Sequence, residues 1–229
     1  EGRHFLADAP PGSVGHQALA VNLSDLAAMG AEPAWALLSL SLPEADAAWL
    51  GPFAEGLFAL AGRHGVALVG GDTVRGPRVV TITALGFVEP ALALRRSGAQ
   101  PGDLLYVSGW PGEAAAGLEA LLRGAASPDD PLVRRCRYAE PRVELGGSLR
   151  GCASAAMDVS DGLLGDLGKL CAASGVGAVL DLERLPVSAE LARRHAAADC
   201  ERLVLSGGDD YELLFTVPTA AAAQVEAMS

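Results

Sequence analysis

Acidic side chains in four short motifs are the residues of this chain that could do chemistry. The first, Asp25, lies in an otherwise apolar, Ala- and Leu-rich helix, three residues after Asn22, so both side chains share one face. Apolar residues on nearly every face predict that this helix is largely buried. A buried carboxylate without a counter-charge is costly or takes up a proton. Considered alone, Asp25 fits a metal ligand about as well as it fits an acid paired with a core arginine or facing water.

The other three motifs lie at predicted junctions of strands with turns or helices. Asp72 follows a short strand across two glycines, Asp158 and Asp161 lie where a strand meets a helix, and Asp209 follows a second Gly-Gly pair before a strand. Each acid alone could be a turn or helix cap, and for Asp72 alone the turn interpretation is favoured. Together, carboxylates beside free backbone N–H groups suit Mg²⁺ and the oxygens of a phosphate.

Motifs that the chain lacks narrow the chemistry further. The sequence contains no phosphate-binding Gly-x-x-x-x-Gly-Lys-[Ser/Thr] loop, no protein-kinase catalytic loop and no dinucleotide-binding fingerprint. Its four histidines stand far apart, and its four cysteines form no Cys-x-x-Cys pair, so neither a zinc site nor a disulfide framework is predicted. A phosphate enzyme that uses carboxylates and a hard cation is the class that remains.

Composition sets the wider limits. The chain has 229 residues, is 50% hydrophobic and carries a net charge of −11, which argues against a nucleic acid or an anionic membrane as partner. Its apolar runs are far shorter than a membrane helix and no signal peptide opens it, so we predict a globular, cytoplasmic protein. Lys169 is the only lysine among 17 basic residues, a bias that we attribute to coding composition.

Hydrophobic periodicity, glycine and proline predict an α/β (α+β) fold of two α/β domains with mixed sheets. The boundary falls in the Pro- and Gly-punctuated stretch 90–102, which gives domains 1–92 and 93–229. Ser13 is the expected cap of the first helix, which ends at Gly30. The other predicted helices are 46–64, 113–124, 132–137, 142–150, 163–173 and 188–198, with a loop at 127–131. The predicted strands are 35–42, 66–69, 79–88, 103–108, 153–159, 176–182 and 211–217, of which 35–42 is expected to be buried.

Five segments, taken in order, resemble the motifs of the thiamine-monophosphate kinase family, within the larger superfamily of aminoimidazole ribonucleotide synthetase and selenophosphate synthetase. The segments are 20–30 (AVNLSDLAAMG), 69–73 (VGGDT), 96–103 (RSGAQPGD), 158–163 (DVSDGL) and 206–213 (SGGDDYEL). The resemblance implies a homodimer whose N-terminal sheets pair across the two-fold axis. It also implies transfer of the γ-phosphoryl group of ATP to thiamine monophosphate, which gives thiamine diphosphate, with several Mg²⁺ ions.

Carried onto this chain, the resemblance implies a role for each motif residue. The metal ligands are Asp25, Asp72, Asp158 and Asp161; the ATP contacts are Gly71, Asp72, Arg96 and Ser160; the substrate contacts are His4 and Asp209. No catalytic general base is expected, because the acceptor is itself an anionic phosphate oxygen. Asp209 stands where the family usually has Glu, and the chain begins after the family's N-terminal Gly-Asp-Asp and Ser-Thr-Asp segments, which add metal ligands.

Two alternatives stay open at this point. An ATP-dependent synthetase of the same superfamily, either aminoimidazole ribonucleotide synthetase-like or selenophosphate synthetase-like, would be favoured by a nucleophilic cysteine or a Gly-rich ATP loop ahead of Glu1. A catalytically idle nucleotide-binding scaffold is the alternative that is not an enzyme. The intact acids Asp25, Asp72 and Asp161 argue against it.

Overall fold

A computed structural model of the chain describes residues 1–124, 127 and 129–228. Pro128, in the predicted loop 127–131, and Ser229, at the end of the predicted second domain, lie outside the described residues. The helices are α1 (Pro11–Ala28), α2 (Ala47–Arg63), α3 (Glu113–Leu122), α4 (Pro131–Arg137), α5 (Val143–Ser148), α6 (Leu163–Ser174), α7 (Ala189–Arg194), α8 (Ala197–Ser206) and α9 (Ala222–Glu226). The strands are β1 (Glu32–Leu42), β2 (Ala67–Arg75), β3 (Val79–Phe87), β4 (Leu104–Val107), β5 (Ala155–Val159) and β6 (Glu212–Val217).

The strands form two three-stranded sheets. In the first sheet, β1 lies between β2, to which it is parallel, and β3, to which it is antiparallel. In the second sheet, β6 lies between β4 and β5 and is antiparallel to both. The predicted α/β class is therefore confirmed. Both sheets were expected to be mixed. The first sheet is mixed, whereas in the second sheet both described pairings are antiparallel.

Helix α1 connects the two halves of the core. Leu19 and Leu23 are buried with α2 and the first sheet, whereas Ala27 is buried in a second cluster with residues of α5 and β6. The helices approach closely: a Cβ atom on Gly15 would collide with the backbone of α2, and one on Gly146 with the backbone of α1. These close approaches fix α1 between the two sheets, with Ser24 next to Asp158 of β5.

The first sheet buries only one of its faces. Ala36, Leu40 and Leu42 of β1 face α1 and α2, whereas Trp35 and Leu37 are exposed. The prediction of a buried strand at 35–42 is wrong for the chain alone, because side chains alternate between the two faces of a strand and no described element covers the second face. On that open face, the ring of Trp35 contacts the ring of Phe87 edge-on at a centroid distance of 5.2 Å.

Two predicted elements of the second half are wrong. Residues 176–182 form no strand, and Val179 is 96% exposed. At the β5 edge of the second sheet, the Ala156 N–H already donates to the Arg95 carbonyl oxygen (2.8 Å), and residues 176–182 pair with neither β4 nor β5. The predicted helix 188–198 is interrupted at His195, whose backbone is extended, and a further helix, α8, follows it.

The start of α1 also differs from the prediction. The helix begins at Pro11, and Ser13 lies inside its first turn, where its hydroxyl donates to the Pro10 carbonyl oxygen (2.8 Å). Proline starts a helix well because its fixed φ angle is already helical and it has no N–H group that needs a partner. No described helix has the length and apolar character that would let it cross a membrane.

Candidate functional site

Two of the predicted metal ligands lie side by side between α1 and β5. The buried hydroxyl of Ser24 donates to Asp158 Oδ2 (3.1 Å), which ties the end of β5 to α1. Burial, and then the charge of Asp25, raise the pKa of Asp158 to about 6. Two carboxylates in this arrangement repel each other when both are ionised.

Asp25 is exposed, so the expectation that it is buried is wrong. The buried residues Leu19, Leu23 and Ala27 occupy the opposite side of α1. Neighbouring atoms still displace part of its water, which raises the pKa of Asp25, and the charge of Arg96 opposes that shift. The predicted ATP ligand Arg96 therefore acts electrostatically on one of the predicted metal ligands.

The loop that carries Arg96 is held by backbone contacts on both sides. The Ser174 hydroxyl of α6 donates to the Arg96 carbonyl oxygen (3.3 Å) and accepts from the Ala99 N–H (3.2 Å). Gly98 has a φ angle of +125°, and a Cβ atom there would collide with the Ser154 carbonyl oxygen. A larger residue at Gly98 is therefore excluded, and the guanidinium is presented from a fixed backbone.

The loop 160–162 carries the predicted ligands Ser160 and Asp161. Asp161 does not act as the cap of α6, the alternative role for this acid, because Gly162 holds the cap position with a φ angle of +101°. The two N–H groups of Ser160 and Asp161 instead donate to Asp166 Oδ2, each at 2.9 Å. Asp166 is fully buried and fixes this loop by accepting two of its donors.

The sequence predicts that Asp72 follows the end of a strand, and this prediction is wrong. Strand β2 continues through the two glycines to Arg75, and Asp72 lies opposite Ser39 of β1. The strand continues because Gly71 adopts a φ angle of +145° against the backbone of Leu38, where a Cβ atom would collide. The Asp72 carboxylate is exposed and accepts the Thr73 N–H (2.9 Å), and its charge is not among the causes that shift the pKa of Asp25 or of Asp158.

The loop that carries Asp209 has a strained backbone. Asp209 and Tyr211 have φ angles of 62° and 52°, in the left-handed region that residues other than glycine rarely adopt. The Asp209 N–H donates to the Ser160 carbonyl oxygen and the Tyr211 N–H to the Val159 carbonyl oxygen, both at 2.9 Å. The Tyr211 hydroxyl donates to Asp209 Oδ1 (3.1 Å), so the carboxylate is oriented from within its own loop.

Glycines let the loops 160–162 and 207–211 touch. A Cβ atom on Gly208 would lie 2.7 Å from the Ser160 carbonyl oxygen, and one on Gly162 would lie 2.9 Å from the Gly207 carbonyl oxygen. Both distances are too short for real side chains. The loop of a predicted metal ligand and the loop of a predicted substrate ligand are therefore in direct backbone contact.

The predicted substrate ligands His4 and Asp209 line the same cavity. This cavity, of about 370 Å³, has apolar walls that include Ile82, and Asn22 and Tyr211 also line it. A second cavity of about 120 Å³ adjoins it, shares His4 and Asp209, and reaches α3. About half of the residues that line the larger cavity are polar or charged and the rest are apolar, which suits a small organic molecule that carries both kinds of group.

Two acids next to Asp209 have structural contacts that the sequence did not indicate. Asp210 accepts the N–H groups of Gly112 (2.8 Å) and Ala114 (3.3 Å) at the start of α3, and burial raises its pKa to about 7. Glu212 is fully buried and accepts from Arg142 Nε and Nη2, both at 2.6 Å, and from Arg135 and Ser108. Of the three acids in this motif, Asp209 is therefore the one that lines the cavity.

The predicted metal ligands supply suitable chemistry for Mg²⁺ without forming a complete cage. Among the described residues, no group of three or more His, Cys, Asp or Glu side chains is arranged to hold a metal ion. Mg²⁺ rarely needs such a cage, because it keeps several waters and is usually bound by one or two carboxylates together with phosphate oxygens. Asp25 and Asp158 are two adjacent carboxylates with raised pKa values, which is a donor set of that kind.

The fold and this cleft define a two-part α/β protein of the AIR synthase related class. Residues 1–88 match the model of the AIR synthase related protein, N-terminal domain, and residues 100–228 match the model of the C-terminal domain. The thiamine-monophosphate kinase of Escherichia coli strain K12 is 50% identical over 221 residues, which are 95% of this chain and 68% of that protein. The chain belongs to the thiamine-monophosphate kinase family.

Solved structures agree with this assignment. The thiamine-monophosphate kinase of Stenotrophomonas maltophilia K279a has a TM-score of 0.97 and 45% identity, and the match covers 100% of this chain and 75% of that one. A structure of AaThiL complexed with AMPPCP and TMP has a TM-score of 0.89 and 34% identity, with 96% of this chain and 73% of that one covered.

Proposed function

We propose that this protein transfers the γ-phosphoryl group of ATP to thiamine monophosphate and so forms thiamine diphosphate, as a cytoplasmic enzyme that depends on Mg²⁺. The observation that supports the proposal is the backbone contact between the loops of two predicted sites. Asp209, which lines the cavity with His4, donates its N–H to the Ser160 carbonyl oxygen, and Ser160 follows β5, whose Asp158 accepts from Ser24 of α1. A family member with the same fold binds AMPPCP, an ATP analogue, together with TMP.

The residues divide into three proposed roles. Asp25, Asp72, Asp158 and Asp161 hold Mg²⁺, while Gly71, Asp72, Arg96 and Ser160 contact ATP and His4 and Asp209 contact thiamine monophosphate. Bound Mg²⁺ would screen the negative charge of the two phosphate-bearing substrates. The fixed loops of Arg96 and Asp161 orient the nucleotide, and the cavity walls orient the acceptor. No side chain has to remove a proton, because the acceptor oxygen is anionic near neutral pH.

The domain boundary is part of the same proposal. We place it between residues 92 and 93, in the stretch that separates the two segments matched by the family models. The first domain then provides Asp25 and Asp72, and the second provides Arg96, Asp158, Asp161 and Asp209. The reacting groups would meet between the domains, against α1.

ADP release should require both thiamine monophosphate and Mg²⁺. We expect ADP to form when ATP, thiamine monophosphate and Mg²⁺ are all present, and to fall to background when either the acceptor or the metal is left out. A coupled assay for ADP measures this, with thiamine as a control acceptor that lacks the phosphate. Equal ADP formation with and without thiamine monophosphate would contradict the proposed activity.

A homodimer is the proposed assembly, formed through the open face of the first sheet. Trp35, Leu37, Leu85 and Phe87 lie together on that face and are exposed in the single chain. A contiguous apolar surface of this kind is typical of a protein–protein interface.

The mass in solution tests the dimer. Light scattering should give twice the chain mass of 23.3 kDa, and Phe87→Glu should reduce it to a single chain. Phe58→Glu is the matched control, because Phe58 on α2 is 52% exposed against 58% for Phe87 but lies off the open face. A wild-type protein that stays at the mass of one chain would refute the dimer.

A further inference from the structure

Lys169 is the only lysine among the 17 basic residues, and it lies beside a proposed metal ligand. Its ammonium nitrogen is 2.8 Å from Asp166 Oδ1 and also contacts the carboxylate of Asp161. The three-residue spacing of Asp166 and Lys169 is compatible with a contact on one helix face, but no sequence pattern links Lys169 to Asp161. Its ammonium group therefore already pairs with the carboxylate of a predicted metal ligand.

Asp166 fixes one end of this contact. It is fully buried, and its other oxygen accepts the N–H groups of Ser160 and Asp161. Asp166 and Lys169 are three residues apart on α6, so they face the same way. The Asp166 carboxylate, whose orientation is fixed by these hydrogen bonds, therefore holds the ammonium group of Lys169 next to the loop of Asp161.

The contact with Asp161 is different, because it faces solvent. The Asp161 side chain is 71% exposed, and ion pairs of this kind contribute little to stability. The lysine ammonium is a compact charge with rotatable donors, whereas an arginine guanidinium can form two parallel hydrogen bonds to the carboxylate. The chain thus has, at this position, the basic residue that a competing cation displaces more readily.

We propose that Lys169 is a resident counter-charge for Asp161 that Mg²⁺ must displace, so that it sets the Mg²⁺ concentration at which the site fills. The inference rests on the proposed function, because it takes Asp161 as a Mg²⁺ ligand. A Mg²⁺ ion held by the Asp161 carboxylate would repel the ammonium group of Lys169, because two positive charges that close together are unfavourable. Lys169 then turns fully to Asp166, which is already its second partner.

The test is a titration with Mg²⁺ alone, followed by thermal melting of the full chain without nucleotide. The dissociation constant for Mg²⁺, here called the midpoint because half of the native protein then holds the metal, follows from the rise of the melting temperature with Mg²⁺ concentration. For Lys169→Met we expect this midpoint to fall about two- to fivefold, the range that exposed ion pairs span. For Lys169→Arg, which keeps the charge, we expect the wild-type value or a higher one. Lys169→Gln, which can still donate to Asp166, replaces Lys169→Met if that variant melts too low to be titrated.

Two controls separate this inference from simpler explanations. Arg193→Met removes the same charge from an exposed pair with Glu190 on α7, and the midpoint for Mg²⁺ should not change. Asp161→Asn should raise the midpoint. If Asp161→Asn has no effect, the metal assignment of Asp161 fails and this inference fails with it. If Asp161→Asn raises the midpoint but Lys169→Met leaves it unchanged or raises it, only the role of Lys169 is overturned.

Discussion

Asp158→Asn should lower turnover about 10²-fold or more, while the metal-free protein melts at the wild-type temperature or above it. The two effects have one cause. Asp158 is a desolvated carboxylate next to Asp25, so its charge is unfavourable until a cation binds. The amide removes that charge, and its oxygen can still accept from Ser24.

Melting with and without Mg²⁺ checks the same variant. A metal that binds only the native state stabilises it by about 2.7 kcal/mol at a hundred times its dissociation constant, and most of this gain should be lost in Asp158→Asn. Asp129→Asn, in an exposed turn, is the control for removing one negative charge. If Asp158→Asn instead melts lower without metal and keeps its response to Mg²⁺, Asp158 is a structural acid.

Glu212→Ala should lower the free energy of unfolding by about 3–5 kcal/mol, because it leaves two arginines without their buried partner. Glu212 is fully buried and joins β6 to Arg135 of α4 and to Arg142, which precedes α5. A loss of this size is a large part of the total stability of a typical domain. Urea unfolding of wild type and variant measures it.

Glu119 provides a matched control for Glu212. It also pairs with two arginines, Arg123 and Arg202, but at the surface, so Glu119→Ala should cost less than about 1 kcal/mol. Glu212→Gln, which keeps the size and most hydrogen bonds of the side chain, should fall between the two. Equal losses for Glu119→Ala and Glu212→Ala would show that burial of the Glu212 network adds no stability.

Local sequence patterns predicted the elements that carry the site better than they predicted the contacts between them. The helix of Asp25 and the strand that ends near Asp158 are local features, because periodicity and glycine set them. Their closeness depends on how α1 packs between the sheets, which no short motif records. The exposure of Asp25 and the position of Asp72 within β2 were missed for the same reason.

The ion pairs show this limit most clearly. Glu212 lies far in the sequence from Arg135 and Arg142, and nothing near it identifies them as its partners. The pair of Asp166 with Lys169 is local to α6, whereas the contact of Lys169 with Asp161 depends on how loop 160–162 folds. The absent strand at 176–182 has a related cause, since a run of β-branched and apolar residues is a strand only where a sheet edge is free. The ion pairs of Glu212 and the missing strand depend on residues far apart in the chain.

The backbone contact between loops 160–162 and 207–211 has a thermodynamic consequence. Because their glycines touch, neither loop can shift far unless the other moves too. A ligand that displaces one loop therefore changes the binding affinity at the other loop, and thermodynamic linkage makes this coupling reciprocal. If bound nucleotide changes the affinity for the acceptor by some factor, bound acceptor changes the affinity for the nucleotide by the same factor.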